Sequence, residues 1–217
     1  MVNNPFKRGK KYTDYDPSFH EWDRYLRKSR LEENFSQLAA LLQETEGRKL
    51  VLIGQPGAGK SSLLLKLTDG KCEPKPNIGQ ETDTTNWSSS PNPVLYHLYN
   101  ETYFIDTPGY DTKAHPLKSY REHFPFYHFD AVLFVIKGKI HQSDEEMFRL
   151  IMDKTKSTST VVLVRGYAED LTGENRKSLE EEFNQKFKLK EYNTPFFFVS
   201  NRLGEGITEL KLYLNIK

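Results

Sequence analysis

The stretch Gly54–Ser61 constrains the fold of this chain more than any other part of the sequence. It reads Gly-Gln-Pro-Gly-Ala-Gly-Lys-Ser and fits the pattern G-x-x-x-x-G-K-[ST]. A short apolar run, Lys49–Gly54, precedes it, and a helical run, Lys60–Leu67, follows it. This is the strand–loop–helix context in which the pattern binds phosphate. The sequence therefore predicts a phosphate-binding loop, called here the phosphate loop.

The residue types in the phosphate loop suit a nucleotide. Glycines let backbone N–H groups turn inward around phosphate oxygens, and the N-terminus of the next helix adds positive potential. We expect Lys60 to reach the β- and γ-phosphates as a catalytic group, and the Ser61 hydroxyl to bind Mg²⁺. A glycine-rich turn without a ligand is the alternative. The predicted binding residues here are Gly54, Gln55, Pro56, Gly57, Ala58, Gly59, Lys60, Ser61 and Ser62.

After the phosphate loop, apolar strands alternate with helical segments, which is typical of an α/β domain with a mostly parallel sheet. Strands are predicted at Lys49–Gly54, Val94–Tyr99, Thr102–Asp106, Ala131–Ile136, Val161–Arg165 and Phe196–Ser200. Helices are predicted at Lys60–Leu67, Leu117–Phe124, Ser143–Met152, Leu179–Phe187 and Ile207–Leu214. We therefore expect a three-layer α/β fold with a six-stranded sheet between helices. Its ligand should bind at the carboxyl ends of the strands.

The N-terminal part of the chain has a different pattern. Residues 1–17 are polar and basic, and apolar residues then recur at helical steps from Ser18 to Glu44, with Gly47 as the expected stop. We divide the chain into an arm with an amphipathic helix, residues 1–47, and a nucleotide-binding domain, residues 48–217. Two roles for the helix stay open: packing on the domain, or contacting a partner.

The composition argues against several classes of function. Lys and Arg number 31 against 30 Asp and Glu, so the net charge of +1 does not favour nucleic acid. The apolar runs are far shorter than the roughly 20 residues of a membrane-spanning helix, and no secretory signal is evident. The single cysteine, Cys72, cannot form an intrachain disulfide. We expect a cytoplasmic protein that binds neither nucleic acid nor, without another chain, a membrane.

A second motif, Asp106-Thr107-Pro108-Gly109, follows the predicted strand Thr102–Asp106. In a parallel sheet this position puts the Asp106 carboxylate beside the phosphate loop. There it can hold Mg²⁺ through a bridging water. Gly109 can present its N–H to a γ-phosphate, and we take it as a catalytic residue. Taken alone, the motif would be an ordinary strand-ending turn.

The two motifs together resemble those of the P-loop GTPases of the translation-factor and Ras-like class, over about residues 49–217. The resemblance implies a G domain that binds GTP and GDP and hydrolyses GTP with Mg²⁺, as a molecular switch. It also implies a threonine that closes over Mg²⁺ and the γ-phosphate. Thr84 and Thr85 are the favoured candidates, and Thr85 is taken as the catalytic and metal-binding one.

The guanine-reading motif of that class, Asn/Thr-Lys-x-Asp, is degenerate in this chain. Tyr167-Ala168-Glu169-Asp170 stands in its place. The resemblance implies that Asp170, or Glu169 after a shift of register, accepts the guanine N–H donors. A last loop is similar to the family's Ser-Ala-Lys motif, and its backbone N–H groups would face the base carbonyl; it consists of Ser200, Asn201 and Arg202.

The interferon-inducible immunity-related GTPases are also similar, in Phe124–Phe134, in the following Lys139–Leu150 and in the helix before the phosphate loop. That likeness implies nucleotide-dependent dimerisation. The membrane remodelling of those proteins is not carried over, because they have a large C-terminal helical domain and this chain stops after its last predicted helix.

Tyr110 follows Gly109 at the position where Ras-like members carry a glutamine. A phenol can donate one hydrogen bond but cannot hold a water as an amide does. We therefore expect slow hydrolysis, raised by self-association or by a protein partner at the switch regions or the N-terminal helix. Among the histidines, His115 is the candidate for positioning that water, and a surface or turn histidine is the alternative. The alternatives are a pseudo-GTPase that binds without hydrolysis and an ATP-dependent P-loop enzyme.

Overall fold

The computed structural model of the chain describes residues 28–76, 78 and 86–217. Within these residues one six-stranded sheet has the order β2-β3-β1-β4-β5-β6. Its strands are β1 (Arg48–Gly54), β2 (His97–Tyr99), β3 (Thr102–Asp106), β4 (Ala131–Ile136), β5 (Thr160–Arg165) and β6 (Phe196–Phe198). Strand β2 is antiparallel to β3, and the other neighbouring pairs are parallel.

The helices lie where the sequence pattern predicts them, with differences at their ends. They are α1 (Arg30–Glu44), α2 (Lys60–Leu67), α3 (Leu117–His123), α4 (Gln142–Lys154), α5 (Gly173–Phe187) and α6 (Ile207–Tyr213). Helix α5 begins well before the predicted Leu179, because the Thr172 side chain caps it by accepting a hydrogen bond from the backbone of Asn175. In the part of the chain that the structure describes, no helix combines the length and apolar character needed to cross a bilayer.

Alternate residues of the central strands face opposite sides of the sheet and build two apolar cores. On β4, Val132 and Phe134 belong to the core shared with α1, α3, α4 and α5. Leu133 and Val135 belong to the core shared with α2 and α6. Because helices cover both faces, β4 is buried throughout and its sequence is an unbroken apolar run. The predicted three-layer α/β fold is confirmed.

Helix α1 begins later than predicted. Ser29 has extended backbone and caps the helix: its hydroxyl accepts from Glu32 N, and the Glu32 carboxylate accepts from Ser29 N, each at 3.3 Å. A continuous helix from Ser18 is therefore wrong at Ser29, and residues 18–27 lie outside the described part. The helix ends at Glu44, where the apolar pattern ends, and Thr45 rather than Gly47 is its C-cap. Gly47 has φ +103°, and a Cβ there would lie 2.7 Å from the backbone oxygen of Glu101.

The apolar side of α1 packs on the rest of the domain. Phe35 is fully buried and makes edge-to-face contacts with Tyr120 and Phe124, with ring centroids 5.1 and 5.2 Å away. The amide of Asn34, also fully buried, donates to the backbone oxygens of Trp87 at 2.6 Å and Ser90 at 2.9 Å. The packing role of the helix is thus confirmed for Arg30–Glu44.

Candidate functional site

The phosphate loop joins β1 to α2 at the carboxyl ends of the parallel strands. Two glycines fix its shape. A Cβ on Gly54 would lie 2.2 Å from the backbone oxygen of Val135, so the neighbouring strand leaves room for glycine alone. Gly59, at the N-terminus of α2, has a left-handed backbone with φ +91°. The loop can therefore turn sharply into the helix and leave N–H groups of the first helical turn available to an anion.

Lys60 lies in the phosphate loop, and its ammonium group points toward the backbone of the loop. Only 7% of the residue is exposed, and its Nζ donates to the backbone oxygens of Gly54 at 3.0 Å and Gln55 at 3.2 Å. Burying an ammonium group is costly unless it is hydrogen-bonded, and these carbonyls provide such bonds. The loop thus carries a positive charge at the place where the sequence predicts phosphate.

Ser61 and Asp106 meet at the mouth of the loop. Asp106 is the last residue of β3, is 1% exposed and pairs in register with Leu52 of β1. Its Oδ2 accepts a hydrogen bond of 2.5 Å from the Ser61 hydroxyl. A hydroxyl and a carboxylate are the hard oxygen ligands that Mg²⁺ prefers, so these residues fit that ion. Among the described residues no cluster of three or more His, Cys, Asp or Glu could hold a metal, and Thr84 and Thr85 lie outside them.

The segment Asp106–Tyr110, called here the Gly109 loop, lies against the phosphate loop. A Cβ on Gly109 would lie 2.4 Å from the nitrogen of Pro56, which shows how closely the two loops approach. Thr107 donates its hydroxyl to the backbone oxygen of Leu52 on β1 at 2.8 Å. The structure therefore places Gly109 directly beside the predicted phosphate site.

Tyr110 points away from that site and into the core. Its side chain is fully buried, its ring stacks on Phe134 at 6.1 Å, and its hydroxyl donates to Asp144 on α4. Burial, and next the charge of Asp144, raise the pKa of Tyr110 well above its ordinary value. His115 is also buried, and its backbone N–H donates to the Thr112 hydroxyl at 2.9 Å. Neither side chain is exposed where an attacking water would lie.

Where the sequence predicts the guanine base, the two candidate carboxylates differ in exposure. Both lie in the 3₁₀ turn Ala168–Asp170 after β5. The Asp170 residue is exposed, whereas the Glu169 side chain is only 8% exposed and lies 3.5 Å from the guanidinium of Arg202. A hydrogen bond from Ser200, helped by Arg202 and opposed by burial, lowers the pKa of Glu169. Glu169 is therefore the ionised carboxylate that meets the loop 200–202.

Two side chains, from the turn after β5 and from the loop 200–202, reach the phosphate loop. The Tyr167 hydroxyl donates to the backbone oxygen of Gly57 at 3.2 Å, and the Asn201 amide donates to that of Gly59 at 3.1 Å. Tyr167 has a left-handed backbone, φ 58°, and the ammonium group of Lys137 lies 4.3 Å above the centre of its ring. These contacts hold the Tyr167 ring in place beside the phosphate loop.

The sequence reasoning missed Lys137 and Arg176. Lys137 directly follows β4, so the rule that ligands bind at the carboxyl ends of strands could have found it. Arg176 donates to the backbone oxygen of Ala168 at 2.8 Å and to Glu205 at 3.0 Å, and so ties the 3₁₀ turn to the loop before α6. No sequence signal marks this contact, because it joins three separate segments.

Comparisons with known proteins place the chain among GTPases. The family model described as "50S ribosome-binding GTPase" matches residues 49–165, more than half of the chain. The tRNA modification GTPase MnmE of Shewanella loihica is 28% identical over 178 residues, which cover 78% of this chain and 35% of that protein. MnmE of Hamiltonella defensa is 28% identical over 214 residues, covering 95% of this chain and 41% of that protein.

Among solved structures, Aquifex aeolicus Era bound to GDP.AlF4- is similar, with a TM-score of 0.55 at 21% identity. The match covers 77% of this chain and 56% of the Era chain, and it supports the fold alone. This chain spans less than half the length of either MnmE relative.

Proposed function

The chain belongs to the 50S ribosome-binding GTPase family, and from that premise we propose that it is a Mg²⁺-dependent molecular switch with slow intrinsic turnover. Membership of the family means GTP binding and hydrolysis of GTP to GDP and phosphate. One observation carries the proposal of slowness: the Tyr110 side chain, next to Gly109, is fully buried and bonded to Asp144. A phenol held in the core does not orient a water at the γ-phosphate.

We assign phosphate binding to residues 54–62. The Lys60 ammonium donates to neutral carbonyl oxygens, and a phosphate oxygen is a stronger partner because donor and acceptor then carry opposite charges. Gly109 would add its N–H at the γ-phosphate, since it already lies against Pro56. The transition state of phosphoryl transfer spreads negative charge over the γ-phosphate oxygens, so donors fixed in advance lower its energy.

Ser61 and Asp106 are the described residues that would hold Mg²⁺, with Thr85 as a third candidate from the family resemblance. When bound, the ion neutralises charge on the β- and γ-phosphates. The Ser61 and Asp106 side chains hydrogen-bond each other directly, so their oxygen atoms lie close enough together to serve one ion, and the buried Asp106 carboxylate would place its charge beside that ion.

We assign recognition of the guanine base to Glu169, with the loop Ser200–Arg202 at its other edge. The low exposure and lowered pKa of Glu169 support this choice over the exposed Asp170. An ionised carboxylate accepts two parallel hydrogen bonds and therefore suits the adjacent N–H donors of guanine, which adenine does not present in that pattern. Tyr167 takes the place of the family's lysine as the side chain that packs on the base.

Hydrolysis would be raised by a protein partner or a second copy of the chain that supplies the missing water-orienting group. The apolar side of α1 is already packed on the domain, so a partner would not bind there. This favours contact through the switch regions, the segments with Thr84, Thr85 and Gly109 that would close over the γ-phosphate. The free, buried Cys72 is consistent with a cytoplasmic protein.

The test is phosphate release at stoichiometric enzyme and GTP, with the Lys60→Ala variant as the blank. Lys66→Ala, on the exposed side of the same helix, is the matched control. We expect slow release by wild type and by the control, none by Lys60→Ala, and no competition by excess ATP. Release that is absent from wild type at every protein concentration would contradict turnover, and inhibition by ATP would contradict guanine recognition.

A further inference from the structure

A buried carboxylate on α4 connects the phosphate loop with the Gly109 loop. Asp144 is 2% exposed, and its Oδ1 accepts hydrogen bonds from both Tyr110 Oη and Gln55 Nε2, the latter at 2.9 Å. Its Oδ2 accepts from the backbone N–H of His141 at 2.8 Å. Tyr110 belongs to the Gly109 loop and Gln55 to the phosphate loop. These three side chains, Gln55, Tyr110 and Asp144, are called here the Asp144 link.

We propose that Asp144 is a positioning residue that fixes the Gly109 loop against the phosphate loop before nucleotide binds, and so sets the preference for GTP over GDP. The proposal rests on the proposed function, because it requires that Gly109 donate to a γ-phosphate. Neither Asp144 nor Tyr110 needs to touch the nucleotide. Both act through the position of the Gly109 backbone.

The burial of Asp144 makes the link costly to break. A buried carboxylate needs hydrogen-bond donors, and removing one leaves a desolvation penalty that is larger for charged than for neutral groups. Asp144 also lies in the first turn of α4, where the helix dipole favours a negative charge. The raised pKa of Tyr110 keeps its phenol protonated, so it stays a donor over the whole physiological pH range.

The Gly109 loop is held by hydrogen bonds at three of its residues, on both sides of Gly109. Thr107 donates to Leu52 O on β1, Tyr120 on α3 donates to Pro108 O at 2.6 Å, and Tyr110 donates to Asp144 on α4. The Tyr110 ring is fully buried. A movement of Gly109 away from the phosphate loop would therefore pull a large ring out of the core and leave Asp144 short of a donor.

A loop fixed in advance affects the two nucleotides differently. GTP gains a contact at the γ-phosphate without a cost for ordering the loop, whereas GDP has no γ-phosphate to gain it. The Tyr110→Phe change keeps the ring and removes the hydroxyl, so it loosens the Gly109 loop with little change in packing. It should weaken GTP binding and leave GDP binding nearly as it was.

The experiment is calorimetric titration of the full chain with GDP and with a non-hydrolysable GTP analogue in Mg²⁺. For Tyr110→Phe we expect the affinity ratio of analogue to GDP to fall about fivefold, as the loss of about one hydrogen bond implies, with GDP affinity within twofold of wild type. Asp144→Asn should lower the ratio in the same direction, because an amide oxygen is a weaker acceptor than a carboxylate, and the double variant should fall no lower than Tyr110→Phe alone. Tyr127→Phe and Asp153→Asn, both at exposed positions, are the matched controls and should leave the ratio unchanged.

Tyr110→Phe keeps the test decisive even if Asp144→Asn fails to fold. An unchanged ratio in a folded Tyr110→Phe protein overturns the positioning role, and so does an equal loss for both nucleotides, which a merely structural bond would give. If wild type binds neither nucleotide, or if Lys60→Ala binds as wild type does, the proposed function itself is wrong and the positioning role falls with it.

Discussion

Replacing Glu169 by glutamine should separate guanine recognition from phosphate binding. The Glu169 side chain is 8% exposed and lies beside Arg202 and the Ser200 hydroxyl, so the change occurs in a nearly closed environment. Glutamine has the same shape but presents an NH₂ group where the carboxylate has a second oxygen. One of the guanine N–H donors would then face another donor.

The size of the effect follows from the one bond that is lost. Its guanine donor is left unsatisfied in a nearly closed site, which costs about 3 kcal/mol, the upper end of the range for a hydrogen bond to a charged group. This corresponds to a loss in GDP affinity of about 150-fold at 25 °C. Binding of ADP, which does not use the carboxylate in this way, should change by less than about threefold.

The assay is calorimetric titration of Glu169→Gln with GDP and ADP. Asp170→Asn is the matched control, because it removes a neighbouring charge from the same 3₁₀ turn at an exposed position. The reasoning is refuted if Glu169→Gln keeps wild-type GDP affinity or if Asp170→Asn suffers the larger loss. Because the pKa of Glu169 lies below its ordinary value, the ratio of wild-type to Glu169→Gln affinity for GDP should stay constant as the pH falls from 7 to about 5.

Three further changes test other parts of the structure. Gly109→Ala would put a Cβ 2.4 Å from the Pro56 nitrogen, so urea denaturation should show a loss of about 1–3 kcal/mol, and an unchanged midpoint would contradict the close approach of the two loops. Ser29→Ala removes the cap of α1 and should cost about 1 kcal/mol by the same assay, whereas no loss would mean that the cap does not stabilise the helix. The hydrogen bond from Arg176 lowers the pKa of Glu205, so the stability that Glu205→Gln removes should be present at neutral pH and vanish as the pH falls through the folded pKa. The two side chains are 29% and 40% exposed, so solvent screening limits the effect to about 0.5 kcal/mol, and a gap that persists at pH 3 would contradict this origin.

Much of the fold could be predicted because its signals are local. Strands such as Ala131–Ile136 are continuous apolar runs, and the structure finds that strand with the same ends. The ends of other elements depend on partners: β2 contains only His97–Tyr99 because only these residues pair with β3, although the apolar pattern begins at Val94. The true start of α1 had a local signal, the Ser29 and Glu32 capping box, which the apolar periodicity obscured.

The candidate site likewise contains residues that the sequence could predict and residues that it could not. The phosphate loop is contiguous in sequence, so its residues could be named in advance. The choice between the two candidate carboxylates depends on a 3₁₀ turn and on contacts with residues 200–202, and the sequence left Glu169 and Asp170 as alternatives. The direction of Tyr110 depends on a carboxylate 34 positions away on α4, and no local pattern reports such a contact.

The packing of α1 has a consequence for how the chain tolerates shortening. Phe35 covers Tyr120 and Phe124, and Tyr120 in turn holds the backbone of Pro108 in the Gly109 loop. A fragment that starts at Arg48 would expose these aromatic side chains to solvent, and the resulting apolar patch would favour aggregation. It would also lose part of the support behind its own nucleotide site. The domain boundary at residue 48 is therefore unsuitable for truncation. A truncated or fused version of the nucleotide-binding domain should include Arg30–Glu44.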